Sequence, residues 1–268
     1  MKPVKLGFIM GLLEDLAPSG LAEPWDNVGL MIGSRSDPVS GVMVALDPTV
    51  EAVQAARKAG RNLLLTHHPL LFKPLSSVDP STPTGAAVFR AVQGEVSVLA
   101  AHTNLDSALG GVNDVLADLL GLRETCALIP AAAEDGAGMG RLGNLDEPRS
   151  LGRMAAQVKE ALGIGSLRMV GSPEKSISRV ALCGGSGGDL VGAAFEAGAD
   201  LYLTGEAAHH HAREAEFRDL ALIEAGHYAT EAPVVPVLAR RLKEALNAAG
   251  FPLAVDIFEE ERAPFCPV

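Results

Sequence analysis

The amino-acid sequence predicts an α/β protein, on three observations. Short apolar runs alternate with longer stretches of helical periodicity along most of the chain. Several of these runs are continuously apolar, which suits strands buried on both faces of a sheet. With 268 residues, 48% of them hydrophobic, the chain holds one large domain or two modest ones around a substantial core.

The elements follow in order. Gly41-Val-Met-Val-Ala-Leu-Asp47 reads as a buried strand, and Pro48 to Ala59 as an amphipathic helix. Asn62–Thr66 is a second strand, Thr84–Gln93 a helix and Val96–Ala101 a third strand. Asn113–Leu120 is helical, with Gly121 as its C-terminal stop. Ser178–Cys183 is a strand that leads through a glycine-rich turn into the helix Asp189–Ala197. Asp200–Thr204 and Ala221–Glu224 extend the strand series. A long helix covers Ala232–Ala249, with Pro233 and Pro236 confined to its start, and Leu253–Phe258 is the last strand. Ile129–Pro148, rich in Ala, Gly and acidic residues, is the loosest stretch and is expected to cross between two lobes. Its segment Ala131–Gly138 reads as a flexible loop, and no internal repeat is visible.

Composition narrows the function. Lys and Arg number 22 against 33 Asp and Glu, a balance of 22 − 33 = −11. So acidic a chain does not offer nucleic acid the basic face that phosphate neutralisation requires. An anionic ligand then needs a local positive feature. Three well-separated cysteines, Cys126, Cys183 and Cys266, argue against a disulfide framework and suit a cytoplasmic location. Glu14 and Asp15 interrupt the apolar N-terminus, so it does not read as a signal peptide, and no window is apolar enough to span a membrane.

All seven histidines fall in four clusters, three of them directly after predicted strands. Thr66-His67-His68-Pro69 ends one strand, where both imidazoles can project from the strand mouth; alternatively one is buried and the other solvated. His102-Thr-Asn-Leu-Asp106 follows another, with Asp106 open to ligation or to a capping or turn role. Gly226-His227-Tyr-Ala-Thr-Glu231 follows a third. There His227 and Glu231 share one helical face, or Glu231 complements the helix dipole. Ligands of α/β sheets collect at the carboxyl ends of strands. Four imidazoles and two carboxylates exceed one tetrahedral zinc and suit two divalent ions sharing a bridging carboxylate. Zn, Fe, Mn and Ni all accept such donors. Two such ions bring +4 against −2 from Asp106 and Glu231, which meets the requirement for local positive charge.

These residues resemble those of the Nif-three-like dinuclear metal proteins, many of them known as GTP cyclohydrolase type-two homologues. The likeness includes Leu21-Ala-Glu-Pro-Trp25-Asp26-Asn27-Val-Gly29-Leu30, the two histidine motifs at His67 and His102, Gly184–Gly187, Thr204-Gly205-Glu206 with His210, and Gly226–Glu231. The blocks lie in the family's order over nearly the whole chain. The resemblance implies two α/β lobes, residues 1–126 with 226–268 forming the metal-binding lobe and residues 127–225 the second. It implies His67, His68, Asp106, His227 and Glu231 as metal ligands, with Glu231 the bridge and His102 a sixth ligand or an orienting partner. It also implies a homohexameric ring. The chain is too short for the inserted domain of longer relatives.

By the same resemblance, the function is metal-dependent hydrolysis of a nucleotide. The substrate would be GTP, with water attacking the purine imidazole ring, formate leaving, and Glu206 or His210 acting as general acid or base. A two-metal phosphoesterase and a non-catalytic metal-binding ring scaffold or regulatory protein are the alternatives. Cys183-Gly-Gly-Ser-Gly-Gly-Asp189 lacks the Lys-Ser/Thr of a P-loop and reads as a tight turn rather than an anion cradle. Of His209-His210-His211, the outer two are expected in solvent. Trp25-Asp26-Asn27 reads as a packing and turn element, with substrate contact as its other reading.

Overall fold

A computed structural model of the protein describes residues 3–132 and 134–265. Its chain forms two compact units, one comprising Met1–Leu105 and Val235–Glu261, the other Asp106–Val234 and the residues from Arg262. The crossings thus fall at Leu105/Asp106 and Val234/Val235, where the sequence placed them at Cys126 and Gly226. The strand that begins at Arg123 accounts for the first difference, because it pairs with a strand of the second unit.

The first unit opens with β1 (Val4–Lys5), α1 (Leu6–Leu16), β2 (Gly29–Ile32) and β3 (Pro38–Val39). There follow β4 (Gly41–Ala45), α2 (Val50–Lys58), β5 (Leu63–Thr66), α3 (Pro83–Gln93) and β6 (Ser97–Ala100). α1 was not expected from the sequence, although Leu6, Ile9 and Leu13 mark a helical face and are buried. Both α2 and α3 start at a threonine whose hydroxyl accepts a backbone N–H, from Ala52 to Thr49 and from Gly85 to Thr82. Pro83 occupies the first turn of α3, where its missing N–H costs nothing.

The second unit contains α4 (Thr103–Ser107, from Asp106 onward), α5 (Val112–Leu119), β7 (Arg123–Pro130), β8 (Gly138–Ser150), α6 (Leu151–Leu162) and β9 (Arg168–Val170). It continues with β10 (Ser176–Cys183), α7 (Val191–Glu196), β11 (Leu201–Thr204), α8 (His209–Phe217), β12 (Ala221–Glu224) and α9 (His227–Glu231). The chain then re-enters the first unit through α10 (Val234–Ala248) and β13 (Ala254–Ile257). α10 is shorter than the expected 232–249, and α9 is a separate helix.

In the first unit, β13, β4, β5 and β6 run parallel, and β2 closes the edge antiparallel to β6. Every residue of β4, β5 and β6 is buried, which explains their apolar character, broken only by Thr66 and Ser97 at strand ends. Met43, Leu64 and Val98 pack against Val53 and Ala56 of α2 and Val88 and Ala91 of α3. Parallel pairing places the ends of β4, β5 and β6 side by side, since Ala45 is opposite Thr66 and Thr66 opposite Ala100.

The second unit carries a six-stranded sheet in the order β7-β8-β10-β11-β12-β9, with β10, β11 and β12 parallel. Leu182, Leu203 and Ile223 meet Leu116, Met154 and Val158 on one face. Their neighbours Ala181, Tyr202 and Leu222 meet Val191, Ala194 and Ala215 on the other. Helices therefore cover both faces, and strand alternation leaves no polar side.

The principal correction lies in Ile129–Pro148. Instead of a loose crossing, β7 and β8 form an antiparallel hairpin, with Ile129 opposite Met139, and β8 pairs with β10 on its other edge. Arg141 on β8 holds this hairpin. It is buried, pairs with Asp114 of α5, and donates Nη1 to the carbonyls of Gly138 and Gly140 and Nη2 to that of Ala108. Ala133 of the expected loop lies outside the described residues, as does Cys266. Cys126 and Cys183 are free thiols, and burial pushes that of Cys183 well above its ordinary range. Among the described residues, no helix is long and apolar enough to cross a membrane.

Candidate metal centre

In the first unit the strand ends bring three imidazoles together. His67 and His68 follow β5 and His102 follows β6; their ring centroids are 5.0 Å, 5.2 Å and 5.6 Å apart. Each ring offers one nitrogen to a set lying within 4.8 Å of one another. His67 is buried and donates Nδ1–H to the carbonyl of Ala101 at 2.9 Å. His68 donates Nδ1–H to Asp47 Oδ1 at 2.7 Å, and His102 to Asp26 Oδ1 at 2.8 Å. With the proton on Nδ1, the lone pair of every ring belongs to Nε2. That is the tautomer a metal ligand needs, and an orienting acceptor behind a ligating imidazole is the usual way of fixing it. The donor set therefore fits a divalent cation.

The orienting carboxylates are themselves anchored. Asp26 also accepts from the backbone N–H of Thr103 at 3.1 Å and from its hydroxyl at 2.5 Å. Burial opposes its charge, but the hydrogen bonds from His102 and Thr103 outweigh that and hold its carboxyl below the usual range. Burial and the neighbouring His67 push His102 below the ordinary histidine value, against the pull of Asp26. A depressed imidazole pKa keeps the lone pair available near neutrality. Asp47 sits at the end of β4, where Glu261 accepts the backbone N–H groups of Leu46 at 2.7 Å and Asp47 at 2.6 Å. Neither Asp47 nor Glu261 stands out in the sequence, because each reaches the site only through tertiary folding.

The second unit carries its own group of candidate donors. In α9, His227 Nε2 and Glu231 Oε2 are 3.0 Å apart, as residues four apart on one helical face should be. His227 Nδ1 lies 3.1 Å from Glu206 Oε1, and Glu206 Oε2 accepts the Ser186 hydroxyl at 3.0 Å. Glu206 thus stands behind His227 as Asp47 stands behind His68. Glu231 is buried against the glycine-rich turn. A Cβ on Gly185, whose φ is +61°, would lie 1.9 Å from Glu231 Oε1, so this position requires glycine twice over. The amides of Gly184, Gly185 and Gly187 are bonded to Asn113, Thr230 and Thr204. The turn therefore packs against Glu231 as a tight turn, with these three amides already paired. Asp106 is buried at the start of this unit, where the buried Asn113 donates to its carbonyl at 3.0 Å.

Other sequence expectations fare differently. His211 is not in solvent. Its Nδ1 accepts the backbone N–H of Ala208 at 3.1 Å, its Nε2 donates to Asp189 at 2.9 Å, and it thereby caps α8. His209 and His210 are exposed. Asp26 faces inward to His102, and Asn27 donates to the carbonyl of Leu71. Trp25 is 61% exposed, which departs from a packing role.

Fold and donors together define an α/β protein with imidazole-lined strand ends that can hold divalent metal. Comparison with known proteins agrees. The chain belongs to the Duf34/NIF3 (NGG1p interacting factor 3) family, whose pattern matches residues 4–264. It is 34% identical over 263 residues to a Clostridium acetobutylicum protein named GTP cyclohydrolase 1 type 2 homolog, covering 98% of both chains. A Clostridium perfringens protein of the same name is 34% identical over 245 residues, covering 91% of this chain and 94% of the relative. The crystal structure of a Bacillus cereus protein related to NIF3 superposes over 100% of both chains with a TM-score of 0.96 at 25% identity.

Proposed function

We propose that the protein is a dinuclear divalent-metal hydrolase acting on a nucleotide, in the manner of a GTP cyclohydrolase type two. The observation that supports this reading is the Nδ1 pairing of His67, His68 and His102, which turns the Nε2 lone pairs of three clustered imidazoles toward ligation. His67, His68, Asp106, His227 and Glu231 are the proposed ligands, with Glu231 bridging and His102 a further ligand or orienting partner. Divalent ions held by these residues would supply Lewis acidity and lower the pKa of a bound water. Asp47, Asp26 and Glu206 orient His68, His102 and His227. Glu206 is therefore read first as a positioning residue, and the exposed His210 as the general acid or base. One water adds at C8 and opens the purine imidazole ring to a formamide, and a second hydrolyses that formamide, so that formate leaves and both ring nitrogens end as amines. The assembly proposed with this activity is a homohexameric ring in the cytoplasm.

Metal analysis after reconstitution, followed by assays of GTP and a phosphoester panel, tests the proposal. About two ions per chain and formate release that depends on His67, Glu231 and His210 are expected. Phosphate release without formate would replace cyclohydrolysis by phosphoester hydrolysis. Full metal loading without turnover of any substrate would favour a scaffold or regulatory role, and fewer than about one ion per chain would sink the dinuclear site.

A further inference from the structure

We infer that Trp25 and Phe72 form an aromatic corner that receives a flat heteroaromatic ring, such as a nucleobase, beside His102. Aromatic residues make up 4% of the chain and Trp25 is its single tryptophan. Trp25 is nevertheless 61% exposed and Phe72 45% exposed, in a chain with ample core to bury them. Their rings meet at an interplanar angle of 73° with centroids 6.0 Å apart. Both stand against the same imidazole, at 6.4 Å and 6.3 Å from the His102 centroid.

Both rings are mounted on anchored backbone. Trp25 precedes Asp26, which accepts from His102 and twice from Thr103. Phe72 follows Leu71, whose carbonyl accepts the Asn27 amide. The backbone part of the ordering cost is therefore met before a ligand arrives, which favours stacking. A corner of indole and phenyl rings offers π-faces and no set of hydrogen-bonding edges. It should accept purines over pyrimidines by contact area while reading base identity weakly. The inference rests on the metal-centre reading only for its consequence: a ring stacked here brings its own atoms to the His102 side of the site.

The sole tryptophan makes the test direct. Guanosine, adenosine, cytidine and ribose 5-phosphate are titrated into metal-free and zinc-loaded protein while Trp25 emission is followed. Saturable quenching by the purine nucleosides, weaker quenching by cytidine and none by ribose 5-phosphate is expected. F72A and F72L, checked for folding by circular dichroism, should each weaken purine binding about tenfold or more. Normal zinc loading with no nucleoside quenching, or equal affinity in F72L, overturns the inference. Emission that shifts with protein concentration alone would mean that a second copy of the chain covers the corner, and overturns it too. Nucleoside quenching without metal uptake would leave the corner standing and remove the metal reading instead.

Discussion

An imidazole ligates through the nitrogen opposite its own hydrogen bond, so the groups behind His68 and His102 matter as much as the rings. Asp47→Ala leaves His68 in place but takes away the acceptor that sets its tautomer, 2.7 Å away. Zinc affinity measured by competition with a chelator should fall about 10–100-fold. An unchanged affinity would mean that His68 is not a ligand. Asp26 carries a second expectation. Its folded carboxyl lies below the ordinary 3.8, so its contribution to stability is complete above that value and fades as pH falls through the folded pKa. Urea midpoints of wild type and D26N between pH 7 and 3 should converge on acidification, and a constant gap would refute the assignment. At this scale the sequence displays the proposed ligands but not their supports. His67, His68 and His102 are visible because strand ends and rare imidazoles coincide. Asp47 and Glu261 are ordinary carboxylates until β4 is laid beside β5 and the chain end returns to it.

Among the elements, legibility follows how each strand is stabilised. β4, β5, β6 and β11 are buried along their whole length, as are Val180–Cys183 of β10 and Ala221–Ile223 of β12, and these mostly apolar runs are what the sequence announces. β8 runs Gly-Met-Gly-Arg-Leu-Gly-Asn-Leu-Asp-Glu-Pro-Arg-Ser, a composition of low strand propensity. Its pairing is decided by tertiary partners, β7 and β10 on its edges and Arg141 beneath. Gly138 is part of the same logic: a side chain there would lie 2.1 Å from the carbonyl of Ile129. R141M should accordingly cost about 3–5 kcal/mol in urea unfolding, since Asp114 loses its partner in a partly buried position. R141M combined with D114N should recover part of that loss. A cost below about 1 kcal/mol for R141M would show that the hairpin is held by strand pairing alone.

For the whole molecule, charge and chemistry must be reconciled. A net charge of −11 disfavours the approach of an anion on average, and salt largely screens that repulsion beyond about 8–10 Å. The proposed ligand set contains two carboxylates, so without metal the site adds to the repulsion instead of relieving it. The two divalent ions of the proposed centre would reverse the sign locally, +4 against −2, while leaving the net charge of the rest of the chain acidic. Anion binding should therefore be conditional on metal. Inorganic phosphate titrated calorimetrically into chelator-treated protein should give no saturable heat at millimolar concentration, and zinc- or manganese-reconstituted protein should bind it. The metal-loaded affinity should fall only modestly from low to physiological salt, because the attraction acts at contact distance. Phosphate binding of equal strength in metal-free protein would place the positive feature elsewhere in the chain. It would also remove the electrostatic reason for assigning a nucleotide substrate to these strand ends.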